Sequence, residues 1–372
     1  MSIKIVLFAF AIIGGFIFSS RGNTKKNRKK YIIFMMIILG LESSLRGLSV
    51  GSDTMNYYYY FTEHGNMKWD EIWNSFVDRY INRNTDFDVG FAVYNKLIYS
   101  LTSNFSIYLG VCALFYFFPL GKLIYRYADD FYQLIFCFTL YIALFNIIAM
   151  SGVRNQISLG CTMAATMAFI DKKYRTSCFI ILFSVVIHMS TLLWLLIPAL
   201  SFFNIKHLRI FHLTGLALAP VVIAASGLII VYMGNFVGME KYAAYGMNDA
   251  EGGAMTFTIM IELISLFCLI AYRKSNFEKG SYMHILYTAL PCFSFFAPLI
   301  TNNGSMIRIS QYFHIYVMLL FPFAIDLLFD RNRKTIYLLL CIILLLLSFK
   351  SGSEPYYFIW EDNQFSNGLM WF

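Results

Sequence analysis

An all-α, polytopic integral membrane protein of about ten transmembrane helices, supplemented by re-entrant or interfacial helices, is the fold class this sequence predicts. Three observations predict it. Hydrophobic residues make up 59% of the 372, and charged residues only 13%, against about 25% in soluble domains. Apolar runs long enough to cross a bilayer recur along the chain, and the mean hydropathy is positive. The loops between them alternate in charge. No tandem repeat, low-complexity linker or soluble appendage interrupts the pattern, so one membrane domain over residues 1–372 is expected.

In chain order, the expected spans cover about 3–20, 31–45, 105–122, 131–150, 153–170, 210–233, 255–272, 281–300, 309–329 and 335–349. The basic loops 21–30, 122–127, 171–175, 204–209, 273–279 and 330–334 fall on the cytoplasmic side by the positive-inside rule. Loop 46–88 carries seven acids against four bases and falls outside. Two pieces resist a simple count. Run 177–203 joins two basic loops, which a re-entrant pair of short helices turning near His188 and Ser190 would satisfy. Segment 88–103 is too short and polar to span and reads as an interfacial or re-entrant helix. Both chain ends then face outward.

The +8 formal charge lies in short loops, which points to topology rather than nucleic acid. Seven cysteines, at 112, 137, 161, 178, 268, 292 and 341, lack C-x-x-C spacing and read as buried small apolar residues. The first apolar run is followed rather than preceded by its basic cluster, as expected for a retained helix. No Walker A loop, G-x-G-x-x-G or H-E-x-x-H is present, which removes the usual support for ATP coupling, dinucleotide chemistry and zinc proteolysis.

The chemistry-bearing residues gather at expected outer helix ends. In "RGLSVGSDT", Gly47 and Gly51 permit a tight path and Arg46 and Asp53 supply charge. "SGVRNQ" places Arg154 at the start of a span, where an arginine needs water or a partner and its fork suits phosphate oxygens. "HMS" contributes His188, able to take a proton near neutrality. "RISQYF" puts Arg308 and Tyr312 on one helix face, and "MEKYAAY" adds Lys241. Each has a plainer reading, as a solvated loop, an interfacial anchor or a satisfied histidine. Arg46, Arg154 and Arg308 together, contrary to the cytoplasmic bias of arginine, suit a diphosphate. Glu262 lies mid-helix and is the best candidate for a coupling-ion residue.

"RGLSVGSDTMNYYYYF" resembles the R-G-x-x-V-G-x-D-T-x-x-Y-x-x-x-F segment of the EpsG family, Wzy-type polymerases of bacterial exopolysaccharide and O-antigen loci. "SGVRNQIS", "HMST" and "RISQYF" resemble further family elements in the same order. Where the family often reads R-Q, this chain has Arg154-Asn155-Gln156, so Gln156 is not carried over. The resemblance implies a glycosyltransferase in the bacterial cytoplasmic membrane. Such an enzyme moves a growing glycan from undecaprenyl diphosphate onto the next lipid-linked repeat unit at the outer face. It implies no cofactor or metal, and membrane lipid, a chain-length regulator and a flippase as candidate partners. His188, Asp53 and Arg154 are then expected to be catalytic, with Arg46, Arg308, Tyr57, Tyr312 and Lys241 binding substrate. A ligase or another lipid-carrier glycosyltransferase is the nearest rival. A lipid-linked oligosaccharide flippase is the rival of a different class, which Glu262 alone supports.

Overall fold

Polar caps fix where the apolar runs begin. Thr24, Asn104, Asp130 and Ser281 each accept a hydrogen bond from a backbone N–H in the first turn of the helix that follows, satisfying donors that otherwise have no partner. The computed structural model describes residues 3–82, 88–146, 152–237, 254–350 and 355–361. Its helices are α1 (Ile3–Ser19), α2 (Lys25–Ser44), α3 (Thr54–Asn66), α4 (Trp69–Val77), α5 (Val89–Tyr99), α6 (Phe105–Tyr127), α7 (Phe131–Leu144), α8 (Val153–Ile170), α9 (Tyr174–Ile187), α10 (Leu196–Leu200), α11 (Ile205–Val237), α12 (Met255–Tyr272), α13 (Tyr282–Tyr287), α14 (Ala289–Phe296), α15 (Ile307–Phe329) and α16 (Arg333–Lys350). The described residues form helices and no strand ladder; one isolated bridge pairs Arg46 with Phe358.

Among the described residues, five stretches are long and apolar enough to cross a membrane: Phe105–Tyr127, Ile205–Tyr232, Met255–Tyr272, Tyr282–Thr301 and Gly304–Phe329. Large apolar side chains such as Phe179, Leu182, Val186, Leu218 and Leu346 stand exposed on the helix surfaces, where bilayer hydrocarbon replaces a protein core. The chain is a membrane protein. Among the described residues the other five expected spans differ from these: α1 and α7 are shorter, while α2, α8 and α16 are long enough but begin in charged or polar turns. α7 has 14 residues, about 21 Å of helix against a hydrocarbon core of about 30 Å; α9, in the run expected to be re-entrant, is equally short. α9 ends at the residue where a turn is expected: His188 is extended, with φ −151° and ψ 107°, and a 3-10 turn, Met189–Leu195, follows. Segment 88–103 supplies only α5, 11 residues long.

The chain divides into two compact units, Met1–Leu192 with Tyr337–Phe372, and Leu193–Ile336. In the first, α6 packs against α2 and α8, α8 against α9, α3 against α5, and α1 against α7. Its core is aromatic: Phe61 stacks on Tyr108 at 4.3 Å, and Phe105, Tyr57 and Phe91 surround the pair. In the second, α11 packs on α14, and α12 and α14 pack on α15. Six cysteines are buried and Cys178 is exposed on α9, beside the outward-facing Phe179 and Leu182. All seven are free thiols.

Close helix approach depends on Gly90. A Cβ built there would overlap the carbonyl oxygen of Val186, so only glycine lets the start of α5 meet the end of α9. Gly90→Val is expected to lower thermal stability by about 1–3 kcal/mol, the range for overpacking, measured as the Tm of the purified protein in detergent.

Candidate functional site

Two polar clusters converge on one end of the first unit. The inner one begins where α2 stops. The backbone turns through Gly51 in the left-handed region, φ 83°, a conformation that glycine adopts without steric cost. This turn folds Thr54 back over Arg46. Arg46 is fully buried. Its Nη1 donates to the carbonyl and hydroxyl oxygens of Ser43 at 2.8 and 3.0 Å, and its Nε donates to Thr54 Oγ1 at 3.2 Å. Thr54 in turn donates to the Val50 carbonyl at 2.6 Å. Burial pulls the guanidinium down to about 10, opposed by nearby groups including Cys112, Tyr356 and Glu42, so it stays charged at neutral pH.

Glu42, in the last turn of α2 four residues before Arg46, is also buried. One carboxylate oxygen accepts from Asn146 Nδ2 at 2.7 Å. Gln156 Nε2 donates to Ser43 Oγ at 3.2 Å, so Gln156 reaches this cluster despite its displaced motif position. Glu42 Oε2, Arg46 Nη2, Asn146 Oδ1 and Gln156 Oε1 are all buried without a protein partner. The C-terminal segment clasps the cluster. Tyr356 donates its hydroxyl to the Glu42 carbonyl at 2.6 Å, while Gly47 N–H donates to Tyr357 and Ile359 N–H to Leu45.

The outer cluster centres on Arg154 in the first turn of α8, its side chain 20% exposed. Asp88, just before α5, pairs with Arg154 and also with Arg79 at 3.4 Å. The Arg154 guanidinium lies over the Phe91 ring, 5.4 Å from its centroid, a cation–π contact. His64 meets the edge of the same ring and stacks on Tyr60. Its Nδ1 lies 3.0 Å from Asn95 Nδ2, and Tyr108 donates to Asn95 Oδ1 at 2.8 Å. Burial, with the charge of Arg154 added, lowers the His64 pKa to about 4, so the imidazole is neutral at physiological pH. His188, half-buried, follows the end of α9, two residues beyond the Val186 carbonyl that packs on Gly90.

A histidine held near 4 binds fewer protons folded than unfolded, where its pKa is about 6.5. The folded state therefore loses stability as pH falls from about 6.5 towards 4, and this group contributes no pH dependence above that window. In His64→Gln the acid-side decline in Tm is expected to be shallower, with the neutral-pH value little changed; equal slopes would count against the assignment.

The other expected site residues are placed as follows. Asp53 is half-buried at the N-cap position of α3 and makes no side-chain cap bond. Of the four consecutive tyrosines, Tyr57 is buried between Tyr60 and Phe91, whereas Tyr59 and Tyr60 are exposed at 46% and 39%. The exposed rings are therefore Tyr59 and Tyr60, the latter with one face stacked on His64. In the second unit, Arg308 is half-buried in the first turn of α15 and Tyr312 is fully buried one turn later. Lys241 lies outside the described residues. His212 is satisfied by Ser265 and Tyr287, and His284 by the Phe203 carbonyl. Sequence reasoning missed Glu42, His64 and Asp88. His64 had a signal, since Tyr57, Phe61 and His64 at spacings of four and three share one helix face.

The EpsG family model matches residues 29–359, a range that takes in both clusters and the C-terminal clasp. The chain belongs to the EpsG family. EpsG is a Wzy-like polymerase family, and membership supports a polysaccharide polymerase-like role for this membrane protein. No match was found among curated proteins or solved structures. Within this EpsG-family chain, two of the three motif arginines lie in the first unit and divide: Arg46 is enclosed, and Arg154 retains an open edge.

Proposed function

We propose that this EpsG-family protein is a Wzy-type polysaccharide polymerase of the bacterial cytoplasmic membrane. It transfers a growing glycan from undecaprenyl diphosphate onto a lipid-linked repeat unit at the outer face, in a ten-span topology. The acceptor hydroxyl oxygen attacks the anomeric carbon. The bond to the diphosphate breaks with its electron pair leaving on the phosphate oxygen, and the hydroxyl proton passes to a base.

The observation that carries this reading is Arg154. It is a partly exposed guanidinium at a helix start, aimed by Asp88 and Phe91, beside a second cation, Arg79. A preorganised guanidinium can stabilise the charge that develops on a departing diphosphate. His188 is assigned as the proton acceptor and Asp53 as a catalytic carboxylate. Asp88 is a positioning residue that sets the Arg154 fork. Arg46 acts through the buried cluster that fixes the start of α3. Tyr59 and Tyr60 present exposed rings to sugar faces, while Tyr57 backs them. Arg308, Tyr312 and Lys241 are assigned to the substrate on their motifs. The chain-length regulator and flippase remain proposed partners.

Product analysis separates the rivals. Purified protein in liposomes, supplied with one lipid-linked repeat unit and no nucleotide sugar or ATP, is expected to give a ladder of longer glycans. A single added unit would indicate a transferase or ligase instead. Movement of the unit across the bilayer without extension would indicate a flippase.

A further inference from the structure

At the opposite ends of α8 and α9 from Arg154 and His188, a furrow runs between α6, α8 and α9. Its mid-helix part, about 360 Å³, is apolar and is lined by Phe115, Pro119, Gly160, Ala164, Ile180 and Phe183. The larger part, about 520 Å³, shares Pro119, Ala164 and Ile180 with it and ends among Lys122, Arg126, Asp171 and Lys173. Small residues one turn apart, Gly160, Ala164 and Ala168, form its floor. Exposed Phe118 and Phe179 flank its open side, so it faces hydrocarbon.

Charge and closure identify what fits. Arg126 pairs with Asp171, leaving Lys122, over the Phe118 ring at 4.3 Å, and Lys173 as cations in excess; both are exposed. At the other end, Phe115 and Phe183 stack across the α6–α9 gap with centroids 6.4 Å apart. That pair separates the apolar part from the end that carries His188. A lipid lying in the furrow therefore has its polar end at the basic rim and its chain along the apolar part.

The geometry points to a binding site for an anionic membrane phospholipid, its phosphodiester at Lys122 and Lys173 and one acyl chain in the apolar part between α6, α8 and α9. The rim lies in a basic loop region, so by the charge rule the lipid belongs to the cytoplasmic leaflet. This site is separate from the proposed carrier site and independent of that reading. Its occupant braces the helix pair whose far ends hold Arg154 and His188.

The test is native mass spectrometry of the full-length protein titrated with phosphatidylglycerol or phosphatidylcholine. Retention of at least one phosphatidylglycerol, in preference to phosphatidylcholine, is expected. Two neighbouring lysines near an anionic headgroup correspond to roughly thirtyfold in affinity, so the double variant K122A/K173A should bind phosphatidylglycerol weaker by that factor and phosphatidylcholine unchanged. Ala164→Phe, which fills the apolar part, should reduce lipid retention with the lysines intact. Circular dichroism establishes that each variant is folded, and the surface lysine variant is read alone if Ala164→Phe is not. Equal binding of the two lipids, or no change in K122A/K173A, would overturn the proposal.

Discussion

Arg154→Ala is expected to lower the rate of glycan extension by about 10²–10³, the loss typical of removing one preorganised donor to developing negative charge. The protein should remain folded, because Arg154 is partly exposed and its deletion leaves Asp88 paired with Arg79. Arg154→Lys should recover little. An ammonium is a point charge without the planar fork that spans two phosphate oxygens, and Phe91 and Asp88 are placed for that fork. Asp88→Asn tests positioning: the cation stays while its orientation relaxes, so extension should fall by about tenfold, a smaller effect than loss of the cation itself. Steady-state extension with a defined lipid-linked unit measures all three.

Arg46→Ala should act on stability before activity. The guanidinium is fully buried and bonds Ser43 and Thr54, so its removal strips a turn of its anchor and takes from the buried Glu42 the stronger of its two cationic neighbours, Lys4 being the other. Removing one member of a buried charged group costs about 3–5 kcal/mol, enough to reduce the yield of folded protein or to lower Tm by several degrees. Glu42→Gln with Arg46→Met should recover part of that loss, since the double change leaves neither charge uncompensated. A double variant no more stable than Arg46→Ala would show that the two charges are uncoupled. Tyr356→Phe, which loses only one hydrogen bond to the Glu42 carbonyl, is expected to cost about 1 kcal/mol.

The apolar runs made the helical, membrane-embedded character legible, because backbone satisfaction in lipid leaves few other choices. They located α6, α12 and α15 to within a few residues, and the histidine of "HMS" marked the end of α9. Helix lengths were less legible, since α7, with 14 residues, is shorter than the apolar run 131–150 from which a span is read. For the site, Arg154 was visible as an ionisable residue at the head of a greasy run. Asp88 was not: it sits 66 positions away in an unremarkable acidic loop, and only the packing of Gly90 on Val186 carries it to Arg154. Glu42 was hidden because one carboxylate in the last turn of an apolar helix leaves the run looking like a plain span. Which of two motif arginines is enclosed depends on how the C-terminal segment folds over Leu45–Gly47, a pairing across more than 300 residues that no spacing announces.

The central claim is that this protein forms glycosidic bonds by displacing a lipid diphosphate stabilised at Arg154. Reconstituted protein given one purified lipid-linked repeat unit should release one undecaprenyl diphosphate for every linkage formed, as the glycan ladder grows, and Arg154→Ala should suppress both together. Repeat units that persist as monomers with no carrier released, or an Arg154→Ala protein that extends glycan at the wild-type rate, would contradict it.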